Sequence, residues 1–237
     1  MTPGIFDLLG FGPQGWGLPL LQAAGITIAA ALCGFLLGSI FGLGGATLKL
    51  ARAPWLRLVG QAYTTVFRGV PEILVVYLFY FGGSVVLTAA MNTSGFPGFY
   101  SLPSFVIGVF AVGIVSGAYQ TEAYRSAYLR LDRGQIEAGA SCGMSKFLLL
   151  RRIIAPQTLR FALPALGNIW QSALKETSLL SVIGLTELLR QAGTAAGSTR
   201  QPLLFYAIAA AMFLVIGRCT GALLNRLENH LTKPWRH

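Results

Sequence analysis

Five long apolar stretches constrain the fold of this chain more than any other feature of its sequence. Hydrophobic residues make up 54% of its 237 residues and charged residues only 11%, whereas a soluble domain carries roughly 25% charged residues. A helix needs about 20 mainly apolar residues to cross a bilayer. We therefore predict an all-α polytopic membrane protein with about five transmembrane helices, forming one transmembrane domain over 1–237. The predicted spans are 19–44, 60–88, 104–124, 161–184 and 203–225.

Basic residues are concentrated in alternate connections between these spans. Two of the predicted outer segments, 1–18 and 89–103, contain no Lys or Arg, and the third, 185–202, contains only Arg190 and Arg200. Thirteen Lys or Arg residues occupy the other side, in 45–59, 125–160 and the tail after Leu224. The positive-inside rule then places the N-terminus outside and the C-terminus in the cytoplasm. The net charge of +10 therefore reflects membrane topology, and we expect no nucleic-acid partner.

Several kinds of catalytic and metal site are missing from the sequence. The three cysteines are far apart and both histidines lie in the C-terminal tail, so no disulfide framework, zinc pattern or histidine-based metal site is predicted. There is no nucleophile–base set, no cofactor loop and no G-x-x-x-x-G-K-[ST] phosphate loop. We expect no cofactor and no enzymatic activity in this chain. If ATP drives its function, a separate subunit must hydrolyse it.

The basic connection between the third and fourth spans contains the most informative motif. Residues 133–156 include apolar side chains at helical spacing around a glycine, with the charges predicted on another face: Ile136, Ala140, Phe147, Leu150 and Ile154. An amphipathic, glycine-jointed element is suited to docking at the membrane surface. The segment resembles the EAA loop of ATP-binding-cassette (ABC) importer permeases, E-A-A, three residues, Gly, nine residues, I-x-L-P. Five positions match in register, namely Glu137, Ala138, Gly143, Ile153 and Pro156, whereas Gly139 and Ala155 depart from the pattern.

The first two spans each contain glycines with a predictable consequence. Gly34, Gly38 and Gly42 recur every four residues, a spacing that lets another helix approach closely. The second span is interrupted at Arg68–Glu72, where Gly and Pro disturb helical hydrogen bonding. Arg68 and Glu72 are four residues apart and could pair across the break. Two interpretations stay open: an interfacial helix joining the span with both charges at the cytoplasmic surface, or a place in a translocation pathway.

Polar side chains in the third and fourth spans are candidates for a pathway across the membrane. Glu122 lies near the inner boundary and can pair with Arg125, three residues on; a structural pair and a pathway role both stay open. A charge at the centre of a membrane helix costs about 2.5–3.5 kcal/mol, so the polar residues of the fourth span should face a polar interior. They include Asn168, Gln171, Ser172, Lys175, Glu176 and Ser178. The alternatives are a helix that lines the passage, with Glu176 meeting a cationic solute, or a structural Lys175–Glu176 cluster.

Three longer motifs resemble one family over about residues 25–226. They are R-G-V-P-E-I-L-V-V-Y-L-F-Y-F-G, G-A-Y-Q-T-E-A-Y-R and L-P-A-L-G-N-x-W-x-x-x-L-K-x-T-S-L-x-S-V-I-G. They are similar to the inner-membrane permeases of polar amino-acid uptake, including the histidine/lysine/arginine, glutamine and opine systems. The resemblance implies a second, related permease subunit as partner, usually in a heterodimer, two cytoplasmic ATP-binding subunits and an external solute-binding protein. It also implies that 133–156 couples to the ATPase and that Asn168 to Ser178 contacts solute.

The substrate is predicted from charge. Acidic residues at Glu72 and Glu176 would complement a cationic side chain, and Lys175 would serve a carboxylate or neutralise Glu176. The motif R-G-V-P-E also resembles the version in arginine-type and opine-type members of the family. Charge and resemblance together imply a basic amino acid or an opine derived from one. Two other classes are compatible with the residues alone: a secondary amino-acid transporter driven by an ion gradient, and a membrane scaffold or receptor subunit without transport activity. The former predicts uptake without ATP, and the latter predicts that the polar residues of the fourth span are dispensable.

Overall fold

The computed structural model describes residues 8–12 and 15–232. Over these residues the chain forms helices and connecting turns without a strand, which confirms the all-α prediction. Lys233, Arg236 and His237 of the predicted basic tail lie outside the described residues. The helices are α1 Gly17–Leu50, α2 Pro54–Gly69, α3 Glu72–Thr93, α4 Ser104–Leu129, α5 Arg133–Ser141, α6 Lys146–Leu149, α7 Ala155–Glu176, α8 Leu188–Thr199 and α9 Pro202–Thr232.

Four of these helices have the length and composition of membrane spans. They are α1, α3, α4 and the part of α9 up to Leu224. The 34 residues of α1 correspond to about 51 Å at 1.5 Å per residue, more than the roughly 30 Å hydrocarbon core. The 22 residues of α7 are long enough to cross, about 33 Å, but this helix is too polar to qualify by hydropathy. The predicted fourth span, 161–184, therefore stays a prediction.

The predicted second span, 60–88, is wrong in its boundaries. The structure divides this region into α2, which ends at Gly69, and a membrane-length helix α3, which begins at Glu72. Val70 is extended, with φ −91° and ψ 136°, because the ring of Pro71 excludes the helical conformation from the residue before it. Helix α2 is short and amphipathic, and its Tyr63 hydroxyl donates to the Ile114 carbonyl oxygen of α4 at 2.8 Å.

The predicted glycine stripe packs α1 against α4. Gly34, Gly38 and Gly42 are all buried on the α4 side of α1. A Cβ atom at Gly38 would lie 3.0 Å from the Gly113 carbonyl oxygen and 3.1 Å from the Gly117 nitrogen. Because these are backbone atoms, they cannot move aside as a side chain would. Van der Waals contact between closely approaching backbones therefore holds the two helices together.

A polar network around Gln120 lies within the same contact between α1 and α4. The Gln120 side chain is completely buried. Its Nε2 donates to the Phe35 carbonyl oxygen at 3.1 Å and to Ser116 Oγ at 3.0 Å. Its Oε1 accepts from Ser39 at 2.8 Å and from Tyr124 at 3.2 Å. The amide is thereby satisfied inside an apolar helix pair, where an unpaired polar group would be costly.

Helix α7 is held between α1, α4 and α9. Its first turn contains Pro156, which has no backbone N–H, and the chain before it, Leu150–Ile154, forms a wider π-helical turn. Trp170 packs edge-on against Phe35 of α1, with ring centroids 5.5 Å apart. The Gln171 amide nitrogen donates to the Gly217 carbonyl oxygen of α9 at 2.9 Å. These contacts fix which face of α7 is left for other partners.

Helix α8 is fixed by a buried carboxylate at its N-terminus. Glu187 is completely buried, and its side chain accepts hydrogen bonds from Leu189 N at 2.9 Å and Arg190 N at 2.8 Å. Burial raises the pKa of Glu187, and the two backbone N–H groups and the charge of Arg190 counteract part of that rise. Thr27 of α1 accepts a further hydrogen bond from Leu188 N at 3.1 Å. The start of α8 is therefore attached to α1.

Candidate functional site

A cavity of about 220 Å³ lies where the start of α3 meets α4 and α7. Four of the residues predicted to line a pathway are brought together in it, although the first lies 96 to 104 positions before the others in the sequence. Its walls consist of Glu72 from α3, Ser116 and Tyr119 from α4, and Asn168, Ile169, Ser172 and Glu176 from α7. Two carboxylates, two aliphatic hydroxyls, a phenol and an amide thus converge on one space. Such a set can bind a polar, positively charged group.

The two carboxylates of the cavity interact with each other. Glu72 and Glu176 line the same space and are near enough for their charges to interact. Glu72 is the first residue of α3, where the positive end of the helix dipole favours a negative charge. Glu176 is the last residue of α7, where the dipole disfavours it. A cation between the two groups would relieve both their mutual repulsion and the unfavourable position of Glu176.

A second, larger groove of about 690 Å³ lies between α7 and α9. Gln171, Lys175, Arg218 and Glu228 line it, and Asn168 lines both this groove and the acidic cavity. Lys175 and Glu176 thus point into different spaces, and no ion pair joins them among the described residues. The alternative of a Lys175–Glu176 cluster is wrong, because successive residues of a helix point about 100° apart. Helix α7 therefore presents the Glu176 carboxylate to one space and the Lys175 ammonium group to the other.

Glu122 and Ser178 do not line the acidic cavity. Glu122 is the centre of an ion cluster: it contacts Lys49 of α1, Arg68 of α2 at 4.0 Å and Arg125 at 3.6 Å. The predicted pair with Arg125 is confirmed, whereas the predicted pair between Arg68 and Glu72 is wrong, because Arg68 turns to Glu122 instead. The Ser178 hydroxyl donates to the Lys175 carbonyl oxygen at 2.7 Å, within its own turn of helix.

Three cavity residues were missed in the sequence: Ser116, Tyr119 and Ile169. Ser116 and Tyr119 are three residues apart in α4, so they share one helical face. A serine within an apolar span was therefore a usable signal. Ile169 carried no such signal, because one more apolar residue in a membrane helix is not distinctive.

The predicted joint of 133–156 is a left-handed turn after α5. Gly143 has φ +76°, a conformation that disfavours residues with a Cβ atom. Gly143 N donates to the Ala140 carbonyl oxygen at 3.0 Å, and Met144 N donates to the Gly139 carbonyl oxygen at 3.2 Å. These two bonds form a Schellman motif, which terminates α5. The side chain of Ser145 then accepts from Leu148 N at 3.3 Å and starts α6.

The predicted apolar face of 133–156 is not the face that packs inward. Phe147 and Leu150 are exposed, by 70% and 50%, while Gly139 and Leu149 are buried. The turn at Gly143 changes the direction of the helix. Residues before and after it therefore do not share one face, although helical spacing counted through the whole segment assumes that they do. A Cβ atom at Gly139 would lie 2.8 Å from Ile153 Cδ1 and 2.9 Å from Leu149 Cδ1. The departure from E-A-A at Gly139 thus accommodates two large side chains.

The other matched positions lie on or near the outside of this segment. Glu137 and Ala138 are exposed on α5, Pro156 is exposed at the start of α7, and Ile153 is part-buried. Around them Arg133, Lys146, Arg151 and Arg152 are also exposed. The outer surface therefore combines an aromatic ring, aliphatic groups and positive charge, which suits a protein surface with a complementary groove.

Comparison with known proteins identifies the family. Residues 34–233 match the family model described as "Binding-protein-dependent transport system inner membrane component". The chain belongs to this family. It is similar to the octopine transport system permease protein OccQ of Rhizobium meliloti, 50% identical over 218 residues and 92% of each chain. It is 49% identical to the nopaline permease protein NocQ of Agrobacterium fabrum over 88% of this chain and 89% of that one. The histidine/lysine/arginine/ornithine permease protein HisQ of Escherichia coli is 34% identical, over 88% of this chain and 91% of that one.

Solved structures agree with this family. An amino acid ABC transporter crystallised with histidines superposes with a TM-score of 0.77 at 29% identity, covering 97% of this chain and 100% of that one. The MetNI methionine transporter shares the fold alone, with a TM-score of 0.73 at 15% identity, over 91% of this chain and 97% of that one. This permease is therefore a multi-pass inner-membrane subunit of an ABC importer and not an enzyme. The alternatives of a secondary transporter and of a scaffold without transport activity are thereby contradicted.

Proposed function

We propose that this permease forms part of the translocation path for a basic amino acid or an opine derived from one. The observation that carries the proposal is that two carboxylates, Glu72 and Glu176, line one cavity. A guanidinium group presents five N–H donors in a plane and pairs well with carboxylates. A solute with a neutral side chain would leave both carboxylates without a counter-charge, so the cavity discriminates against it.

The position of Lys175 on α7 supports an opine in particular. The relatives at 49–50% identity are named as permeases for octopine and nopaline. Both compounds are arginine derivatives with additional carboxylate groups. Lys175 and Arg218 line the groove next to the acidic cavity, and Asn168 belongs to both. A solute whose cation occupies the acidic cavity can therefore direct a carboxylate toward Lys175. Arginine has fewer carboxylates and gains less from this contact.

A second permease subunit completes the path in this proposal. The cavity of about 220 Å³ is smaller than the roughly 300–1,000 Å³ of ligand pockets. Asn168, Ser172 and Lys175 are exposed on this chain, although polar side chains at such a position in a span should face protein or water, not lipid. A related permease, in a heterodimer, would cover them. An external solute-binding protein would deliver the solute.

Residues 133–156 couple this path to ATP hydrolysis in the proposal. The exposed outer surface with Phe147 and its neighbouring cations would contact an ATP-binding subunit, and the Gly143 turn would act as the joint. This assignment requires the segment to be cytoplasmic, with the N-terminus outside and the C-terminus inside. The distribution of Lys and Arg supports that orientation.

Direct solute binding tests the proposed recognition site. The complete transporter complex, purified without its solute-binding protein, is titrated with radiolabelled arginine and radiolabelled octopine. We expect Glu176→Gln to weaken the binding of both ligands by about tenfold or more, which corresponds to the loss of an interaction worth at least about 1.4 kcal/mol. Lys175→Met should weaken octopine more than arginine. Ser178→Ala, outside both spaces, is the control. Unchanged binding in Glu176→Gln would remove the acidic pair from recognition.

Photo-crosslinking tests the coupling surface. A photoreactive amino acid replaces Phe147 in one variant and Leu203 in another. Both positions are exposed, by 70% and 86%, but Leu203 lies in the first turn of α9, on the predicted outer side. We expect a crosslink to the ATP-binding subunit from position 147 only. A crosslink from position 203, or none from 147 in an intact complex, would refute the proposed orientation or the docking surface.

A further inference from the structure

We propose that Arg68 is a positioning residue for the acidic cavity: it anchors the joint between α2 and α3 to α4 and thereby holds Glu72 beside Glu176. This inference rests on the proposed function, because it explains how the two recognition carboxylates are kept together. Arg68 itself does not line the cavity. It would act on the solute only through Glu72.

The guanidinium of Arg68 contacts two residues that are one turn apart on α4. Its central carbon lies 5.2 Å from the centroid of the Tyr119 ring, a cation–π distance. Its Nη1 lies 4.0 Å from Glu122 Oε1. Tyr119 is also a wall of the acidic cavity. Arg68 thus connects the end of α2 to the helix that forms one side of the cavity.

Glu122 provides a fixed partner for this contact. Lys49 of α1 and Arg125 of α4 bind the same carboxylate. The cluster therefore joins the C-terminal ends of α1 and α2 to α4. A carboxylate that is already held by two cations loses little conformational freedom when Arg68 binds it. The contact is correspondingly suited to fix a backbone position.

The joint transmits the position of Arg68 to Glu72. Only Gly69, Val70 and Pro71 separate the two residues. Val70 is extended, and Pro71 has φ −56° within the narrow range that its ring allows. Repulsion between Glu72 and Glu176 would otherwise favour movement of the α3 N-terminus away from α7. Attachment of Arg68 to α4 opposes that movement, because α4 also lines the cavity.

Binding measurements on a double-mutant cycle test this role. The complete purified complex, without its solute-binding protein, is titrated with radiolabelled arginine for wild type, Arg68→Met, Glu72→Gln and the double variant. We expect Arg68→Met to weaken arginine binding about tenfold, equivalent to about 1.4 kcal/mol. In the Glu72→Gln background the same change should have little further effect. Arg68→Lys keeps the charge without the planar stacking group and should lose less affinity. Arg57→Met, an exposed arginine of the same helix, is the matched control.

The outcomes separate this inference from the proposed function. If Glu72→Gln binds arginine as tightly as wild type, the proposed acidic recognition site fails. If Glu72→Gln weakens binding but Arg68→Met does not, or if the two losses multiply in the double variant, the positioning role of Arg68 is overturned while the recognition site stands. If the Arg68→Met variant does not assemble into the complex, Arg68→Lys is compared instead, once with the native Glu72 and once in the Glu72→Gln variant.

Discussion

The contact between α1 and α4 and the cavity-facing side of α7 use polar residues in opposite ways. Gln120, between α1 and α4, is completely buried and makes four hydrogen bonds within the protein. Glu176, on α7, faces another carboxylate, and Lys175 next to it points elsewhere. Both regions place polar groups inside membrane-length helices. A satisfied group holds helices together, whereas groups that lack complementary charge are available to a ligand.

The largest predicted effect breaks the contact between α1 and α4. Gly38→Leu places a side chain against backbone atoms of Gly113 and Gly117, about 3 Å from its Cβ, so the helices must separate. We expect membrane abundance to fall roughly tenfold, because a loss beyond ~2 kcal/mol changes abundance several-fold or more. Gly44→Leu on the same helix is the control, since no atom lies within 4 Å of its added Cβ. Quantitative immunoblotting of membranes measures both, and equal losses would contradict the role of the glycine stripe.

The second prediction compares two glutamines that bridge helices. Gln120→Leu leaves the partners of a fully buried amide unsatisfied and should destabilise the purified protein by about 2–3 kcal/mol. Gln171→Leu removes the hydrogen bond from a part-buried amide to the Gly217 carbonyl oxygen and should cost about 0.6–1 kcal/mol. Thermal unfolding in detergent measures the difference. An effect of Gln171→Leu equal to that of Gln120→Leu would mean that burial does not set the cost.

The third prediction exchanges serine for alanine in each region. Ser39→Ala removes a donor to Gln120 and should destabilise by about 1 kcal/mol without changing solute affinity. Ser172→Ala, in the acidic cavity, should change stability by less than about 0.5 kcal/mol but weaken arginine binding. Unfolding and binding are measured on the same preparations. If either substitution shifts both properties equally, the distinction between the two regions fails.

The smallest predicted effect concerns pH and Glu187. Its pKa is raised by burial, so the folded state favours the protonated form more than the unfolded state does, where the pKa is about 4.3. Stability from this group is therefore present at acidic pH and is lost as pH rises through the raised pKa. We expect the stability of wild type relative to Glu187→Gln to decrease from pH 5 to pH 8. A difference that increases with pH would reverse the assigned sign.

Much of the fold followed from patterns of single residues along the chain. The four-residue spacing of Gly34, Gly38 and Gly42 predicted close helix packing, and the structure places α4 against it. The position of Gly143 predicted a joint, and its positive φ confirms one. The inward face of 133–156 was not predictable from helical spacing, because the turn at Gly143 interrupts the period that such a prediction assumes.

The partners of the charged residues were the least predictable part of the site. Proximity in sequence suggested that Arg68 pairs with Glu72 and that Lys175 pairs with Glu176. In the structure Arg68 contacts Glu122, 54 positions away, and Glu72 faces Glu176, 104 positions away. A charge accepts whichever opposite or polar group the packing of helices brings near, and sequence distance has little influence on that choice.

The sequence by itself determined that this chain is helical, crosses the membrane several times and carries an importer-type loop, because hydropathy, periodicity and motif spacing are local properties of the chain. Only the tertiary structure decided which polar residues stabilise helix packing and which form a candidate solute site. That distinction depends on hydrogen-bond satisfaction and charge balance, and both are set by neighbours from distant parts of the chain.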